Sequence, residues 1–259
     1  MKGLFEFYCL HRKFLLFNLV IRNLKIRYRK SVLGFFWTLL VPAAMALVYY
    51  FVFSFVVRVN IDKYLLFVMV GLMPWMFISM AISTSTESLV INFNILSKVP
   101  IAYQAFPLAE VVSGMINFIL SFVVLVALSL VYQNYPSWSW FGLLPIYFLL
   151  FLQTYSIALM LAIAHVYLRD IKHLVGIFIQ IWMYLTPIIY NASLIPERFR
   201  PYFMLNPIYG IIESTHVIFM KGVWPPMSLW YQMLLWTLAL NTCAYLLHRN
   251  RRLRLVEGI

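Results

Sequence analysis

Acidic side chains are scarce: eight Asp and Glu stand against twenty Lys and Arg in 259 residues. Charged residues of both signs make up 11% of the chain, where soluble domains carry about 25%. So thin a supply of charge cannot coat a water-facing surface, which excludes a soluble globular protein. It also leaves little for intramembrane acid–base chemistry. A membrane enzyme acting on polyprenyl lipids would need a compact polar constellation, and only Glu87 and Glu110 come close. Pairing with Lys98 or with nearby backbone is the plainer use of those two carboxylates.

Cysteine is nearly absent. Cys9 and Cys243 lie far apart and neither belongs to a CxxC pair, so there is no disulfide framework and no cysteine metal signature. The nine glycines never form GxxxxGK[ST] or GxGxxG. The chain therefore has no P-loop to hold ATP, and any ATP dependence belongs to a partner. There is no HExxH or Cys/His pair, so no metal or cofactor is expected on this chain. His11, His165, His173, His216 and His248 are scattered at or near expected span ends or loops, and read as interfacial side chains. No cleavable signal sequence is expected, because Glu6 and His11-Arg12-Lys13 interrupt the apolar N-terminus.

What remains is oil and basic charge. Hydrophobic residues make up 64% and mean hydropathy is +0.87. The net charge of +12 would suit nucleic acid, but the basic residues gather at the ends of apolar segments, as membrane anchors do, so nucleic acid is not an expected partner. The expectation is an all-α membrane protein organised around IRNLKIRYRKSVLG, where a basic amphipathic helix over residues 8–30 meets the first apolar run. In that helix Leu10, Phe14, Phe17, Ile21, Leu24 and Tyr28 form one stripe, and His11, Asn18, Arg22, Lys25 and Arg29 another. Such a helix is either a membrane-surface anchor or a docking element for a partner subunit, and amphipathicity alone does not choose between them.

Six transmembrane spans are expected at 33–57, 64–91, 108–132, 141–166, 174–190 and 227–247, each near the ~20 residues that cross the hydrocarbon. Residues 92–107 form an inner loop with Lys98, Pro100 and Pro107. With this layout the inner segments hold fifteen Lys and Arg and the outer segments five, so both termini are expected in the cytoplasm. Residues 191–226 are apolar and aromatic but broken by five prolines, and read as two short helices re-entering the outer leaflet, split near Asn206-Pro207. Backbone of that kind at membrane depth has to be covered by protein or line a watery passage. The run Ser83–Ser88 can bond its own helix or a neighbour. Aromatic rings crowd spans one and five; near span ends they form ordinary belts, and deeper ones could contact the apolar faces of sugars.

Four segments carry a resemblance: IRYRKSVLGFFWTLLVP (26–42), NILSKVPIAYQAFPLAEV (94–111), YLRDIKHLVGIFIQIWMYLTPIIY (167–190) and LIPERFRPYFMLNPIYGIIESTHVIF (194–219). In this order they are similar to permease subunits of polysaccharide-exporting ABC transporters, which handle O-antigens, capsules and teichoic acids. The resemblance implies a homodimer of six-span subunits in the bacterial inner membrane, with two ATP-binding subunits that hold ATP and Mg2+. It implies that the amphipathic helix, through Arg22, Lys25 and Arg29, and the 94–103 loop, through Lys98, Pro100 and Tyr103, dock onto the ATPase. It makes Trp37, Tyr49, Phe53, Phe178 and Trp182 candidates for lining a channel at the dimer interface. Pro196, Tyr202, Asn206, Pro207 and Tyr209 become candidates for an outer gate. The implied substrate is a lipid-linked polysaccharide, O-antigen first; a capsule or teichoic-acid exporter and a small-molecule efflux permease are the alternatives.

Overall fold

The computed structural model describes residues 2–29, 31–56, 58, 61–97 and 102–251. Every regular element among them is helical. In chain order these are α1 (Lys2–Tyr28), α2 (Trp37–Phe51, continued by a π turn over Val52–Val56), α3 (Tyr64–Ile91), the single turn α4 (Phe93–Leu96), α5 (Ala105–Val131), α6 (Leu143–Tyr167), α7 (Ile171–Tyr184), the short α8 (Arg200–Met204), α9 (Tyr209–His216, continued by a π turn over Val217–Lys221) and α10 (Met227–Arg251). Among the described residues, four helical segments are long and apolar enough to cross a membrane: Trp37–Val56, Tyr64–Ile91, Ala105–Val131 and Trp138–Tyr167.

Two expected spans come out differently. The fifth, expected over 174–190, is the 14-residue α7, which stops at Tyr184. Pro187 explains the stop, since proline drives the preceding residue, Thr186, out of the helical region. Residues 185–190 turn back into the protein instead, and Thr186, Ile188 and Ile189 are buried. The sixth, α10, is long enough at 25 residues but does not reach the apolarity of the other four. Thr237 faces inward, where Gln153 of α6 donates to its Oγ1 at 2.9 Å and to the Met233 carbonyl at 3.1 Å, whereas Ser228 and Thr242 are exposed. Tyr231, Leu234, Leu235, Leu238 and Tyr245 point outward and are exposed.

α3 is the axis of the molecule. It is apolar nearly all round, and such a helix has to be surrounded; 78% of its most apolar window is buried, against 11% for α2. α5 and α6 flank it, α2 and α7 lie on its other sides, and α9 fills the space near its first turns. A second, smaller core joins Leu19 and Val20 of α1 to Leu89, Phe106, Ala109, Leu159 and Ile163.

α1 therefore packs on the bundle, and with a different face from the expected stripe. Leu16, Leu19, Val20 and Leu24 pack inward. Phe14 and Phe17 are 69% and 61% exposed. The helix has three sectors: one on the bundle, one of exposed apolar residues, and one of basic residues. A division into two stripes merges the first two.

Candidate functional site

The α1 end of the bundle gathers most of the expected docking residues. Lys25 and Arg29 are exposed and Arg22 is half-buried, and with Asn18 and Ile21 they line one shallow surface depression. Lys98 and Pro100 lie outside the described residues. Tyr103 is described, and its hydroxyl bonds Nδ1 of His248 near the end of α10. The other ring nitrogen of His248 is held by Gln104 Nε2 at 2.7 Å. The loop before α5 and the last turns of α10 are thus clamped together through one imidazole. Neither the partner nor the pairing was visible in the sequence, because 145 residues separate Tyr103 from His248.

The two membrane carboxylates find partners that the sequence did not suggest. Glu87 pairs with Lys172 Nζ at 2.8 Å, tying the last turns of α3 to the start of α7. Glu110 accepts from Asn23 Nδ2 at 2.7 Å, tying α5 to α1. In the hydroxyl run, Thr86 and Ser88 donate to carbonyls of α3, and Ser85 to the Pro107 carbonyl of α5.

The proposed channel-lining residues fall into three situations. Trp37 and Phe178 are exposed, at 46% and 58%. Tyr49 and Phe53 are half-buried; Tyr49 lies 3.8 Å from Met183 Sδ, which is where α2 and α7 meet, and Phe53 leans on Tyr64. Trp182 is the exception. It is 7% exposed, stands edge-on to Trp75 at 5.6 Å, and donates its indole N–H to Asn206 Oδ1 at 2.9 Å. Its ring serves packing inside the protomer, so it is withdrawn from the lining set. α2 and α7 together leave a broad apolar surface uncovered, with Leu40, Leu47, Phe51, Leu174, Ile177 and Ile181 all exposed.

Between α7 and α10 the chain forms two 3-10 turns, Ala192–Leu194 and Glu197–Phe199, and then the short helices α8 and α9, separated by residues 205–208. Asn206 is the joint. Besides accepting from Trp182, its side-chain oxygen accepts from the Ile208 amide at 3.0 Å, and its Nδ2 donates to Thr186 Oγ1 at 2.8 Å and to the Leu185 carbonyl at 3.2 Å. Gln232 of α10 grips the same corner, donating to the carbonyls of Met204 and Asn206 at 2.6 and 3.2 Å. Pro196 and Tyr202 are exposed, Pro207 is half-buried and Tyr209 is buried.

α9 runs inside the protein. His216 is 4% exposed; its ring stacks on Phe67 at 4.0 Å, and Nε2 lies 3.1 Å from the Phe67 carbonyl. This corrects the expectation of an interfacial histidine. The ring fits because residue 71 of α3 is glycine: a Cβ there would meet His216 Nε2 and the Ile188 carbonyl, each at 3.0 Å. Beyond it, Phe219 packs on Trp140 at 4.5 Å, and Gly222, with φ of 66°, turns the chain back toward α10.

α2 and α7 thus leave apolar faces uncovered, and a basic face lies at the α1 end of the bundle. The family of ABC-2 type transporters matches residues 15–220. An O-antigen export system permease protein RfbA from Klebsiella pneumoniae is 33% identical over 213 residues, covering 80% of this chain and 82% of the relative. A protein of the same name from Myxococcus xanthus is 36% identical over 209 residues, covering 79% and 80%. On this ground, and with the helices described above, the chain belongs to the ABC-2 type transporter family of membrane permeases.

Proposed function

We propose that this chain is the membrane subunit of an ATP-driven exporter that moves a lipid-linked polysaccharide, O-antigen first, across the bacterial inner membrane. The observation that carries this reading is the similarity, over about four-fifths of both chains, to permeases named for O-antigen export. Two copies pair through the uncovered faces of α2 and α7, with Trp37, Tyr49, Phe53 and Phe178 lining the passage between them. Burying so much exposed apolar and aromatic surface would otherwise fall to lipid alone. Both termini lie in the cytoplasm, and α7 and α10 complete six membrane-embedded helices.

The energy comes from two ATP-binding subunits, which hold ATP and Mg2+. They dock on the basic face of α1 and on the loop that contains Lys98, Pro100 and Tyr103. The Tyr103–His248 clamp supports this assignment, since it stiffens that loop against α10. α8 and α9 cap the passage on the outer side, with Asn206 and Pro207 at the corner and Pro196, Tyr202 and Tyr209 on its flanks.

The test is surface labelling of O-antigen in cells lacking the chain and complemented with variants. Charge reversal at Arg22, Lys25 and Arg29 should abolish co-purification with the ATPase and abolish export. Export that persists without an ATPase partner, or transport by the purified chain alone, would defeat the proposal.

A further inference from the structure

The uncovered side of α7 carries two different strips. At about 100° per residue, His173, Gly176, Gln180 and Tyr184 fall within about 80° of one another, and all four are exposed. Leu174, Ile181 and Leu185, exposed as well, lie roughly a third of a turn round the same helix. The first strip offers an imidazole, an amide and a phenol, and the second only hydrocarbon. It is the polar strip that looks toward α2. Tyr49 of α2 touches Met183, and the phenol of Tyr184 lies within electrostatic reach of Tyr49.

Gln180 is the informative member. It stands about 13 Å along the helix from Ile171, and the hydrocarbon layer is about 30 Å thick. Among the described residues its side chain makes no hydrogen bond. A bare amide in hydrocarbon is costly, so this strip does not face lipid tails. Nor is it a polar staple between two copies, where one amide sits in an otherwise apolar seam. Here the polar groups run along about 16 Å of helix, and the hydrocarbon strip beside them can take up the apolar contact. At Gly176 a Cβ would meet nothing within 4 Å, so the strip borders open space.

We propose that this strip of α7 binds the hydroxyl groups of an uncharged glycan segment as it passes, with Gln180 as the specificity-determining contact. The inference rests on the transport reading above and narrows its substrate class. A carboxamide offers donors and an acceptor on one flat group, which matches two neighbouring hydroxyls of a sugar ring. One turn further, the ring of Tyr184 suits an apolar C–H face, and its hydroxyl suits another hydrogen bond. One turn back, Gly176 has no side chain, so a sugar ring can come close to the helix backbone. Between Gly176 and Tyr184 the strip carries no charge. It therefore has nothing to hold the phosphates of a teichoic-acid polymer or the carboxylates of an acidic capsule. An uncharged polymer loses nothing by that.

The test replaces Gln180 or, separately, Ile181 by p-benzoylphenylalanine in cells that assemble the whole transporter and make its polymer. After irradiation the purified chain is stained with periodate and a hydrazide dye, which mark vicinal diols. Position 180 should carry glycan, and position 181 lipid or a second copy. Gln180→Leu should slow the arrival of glycan at the cell surface about tenfold, the worth of one good hydrogen-bonded contact, with ATPase co-purification unchanged. Gln180→Asn, which keeps the amide, should slow it less. Leucine suits lipid better than glutamine does, so undiminished export by Gln180→Leu would overturn the proposal. Capture of a second copy without glycan at position 180 would do the same. Glycan at position 181 and not at 180 would overturn it while leaving the transport reading standing. Surface glycan undiminished by loss of the chain would defeat the transport reading itself, and this inference with it.

Discussion

Trp182 and Asn206 are joined by a hydrogen bond of 2.9 Å between indole N–H and amide oxygen. That bond couples the last turn of α7 to the corner from which α8 and α9 diverge. Asn206 uses both ends of its amide, accepting twice and donating twice. Asn206→Asp keeps the shape and the acceptors but cannot donate to Thr186 and Leu185. We expect a loss of about 2 kcal/mol in stability, read as a lower unfolding temperature in detergent. Trp182→Phe, which removes one bond and keeps most of the ring, should lose about 1 kcal/mol. A larger loss for Trp182→Phe than for Asn206→Asp would show that the ring packing, and not the amide, holds the corner.

The glycines make a paired prediction. At Gly71 a methyl group would press on the His216 ring and on the Ile188 carbonyl, so Gly71→Ala should destabilise by about 1–3 kcal/mol. At Gly176, in the middle of α7, a Cβ meets nothing within 4 Å inside the protomer. Gly176→Ala should be neutral or stabilise by up to about 1 kcal/mol, from helix propensity. If α7 pairs with a second copy, Gly176→Trp should weaken dimers seen by cross-linking while leaving the monomer folded. Undiminished dimers would remove α7 from the interface.

The Glu87–Lys172 pair is half-exposed, with side chains 30% and 50% accessible. Ion pairs in such surroundings contribute about 1 kcal/mol or less. Glu87→Gln should therefore hardly move the unfolding temperature. If the pair instead sets the position of α7, Glu87→Lys should impair export and the swap Glu87→Lys with Lys172→Glu should restore it. A swap no better than the single variant would argue that charge is not what matters there.

The clamp at His248 predicts a coupling defect. Tyr103→Phe removes the hydroxyl bonded to Nδ1, and His248→Ala removes both bonds. In the assembled transporter, the rate of ATP hydrolysis should become less responsive to substrate, with assembly of the complex preserved. Dissociation of the ATPase on Tyr103→Phe alone would point to direct contact in place of internal bracing.

Helicity and the long apolar helices were legible because each follows from composition and length along a continuous stretch. The central burial of α3 was not read from the sequence: its stretch was one expected span among six, turning polar at Ser83–Ser88. Nor could the faces of α1 be read. Leu19 and Val20 differ from Phe14 and Phe17 only in which neighbours they meet, and the sequence does not record neighbours. The same holds for Glu110 with Asn23 and for Glu87 with Lys172, whose partners come from other helices. Trp182 was assigned to a channel as one ring among many, and the amide that claims it lies beyond Pro187 and Pro196. The brevity of α7 did have a local signal in Pro187, outweighed by the apolar Ile188-Ile189-Tyr190 that follows it.

The 14 residues of α7 give it a height of about 21 Å, whereas the oil of a bilayer is about 30 Å thick. The helix alone falls short of that thickness by roughly a third, and the chain continues from it into the folded-back corner at Asn206. If α7 lines the proposed passage, a hydrated chain travelling along it would meet the amide groups of Asn206 and Gln232 before reaching the far side of the bilayer.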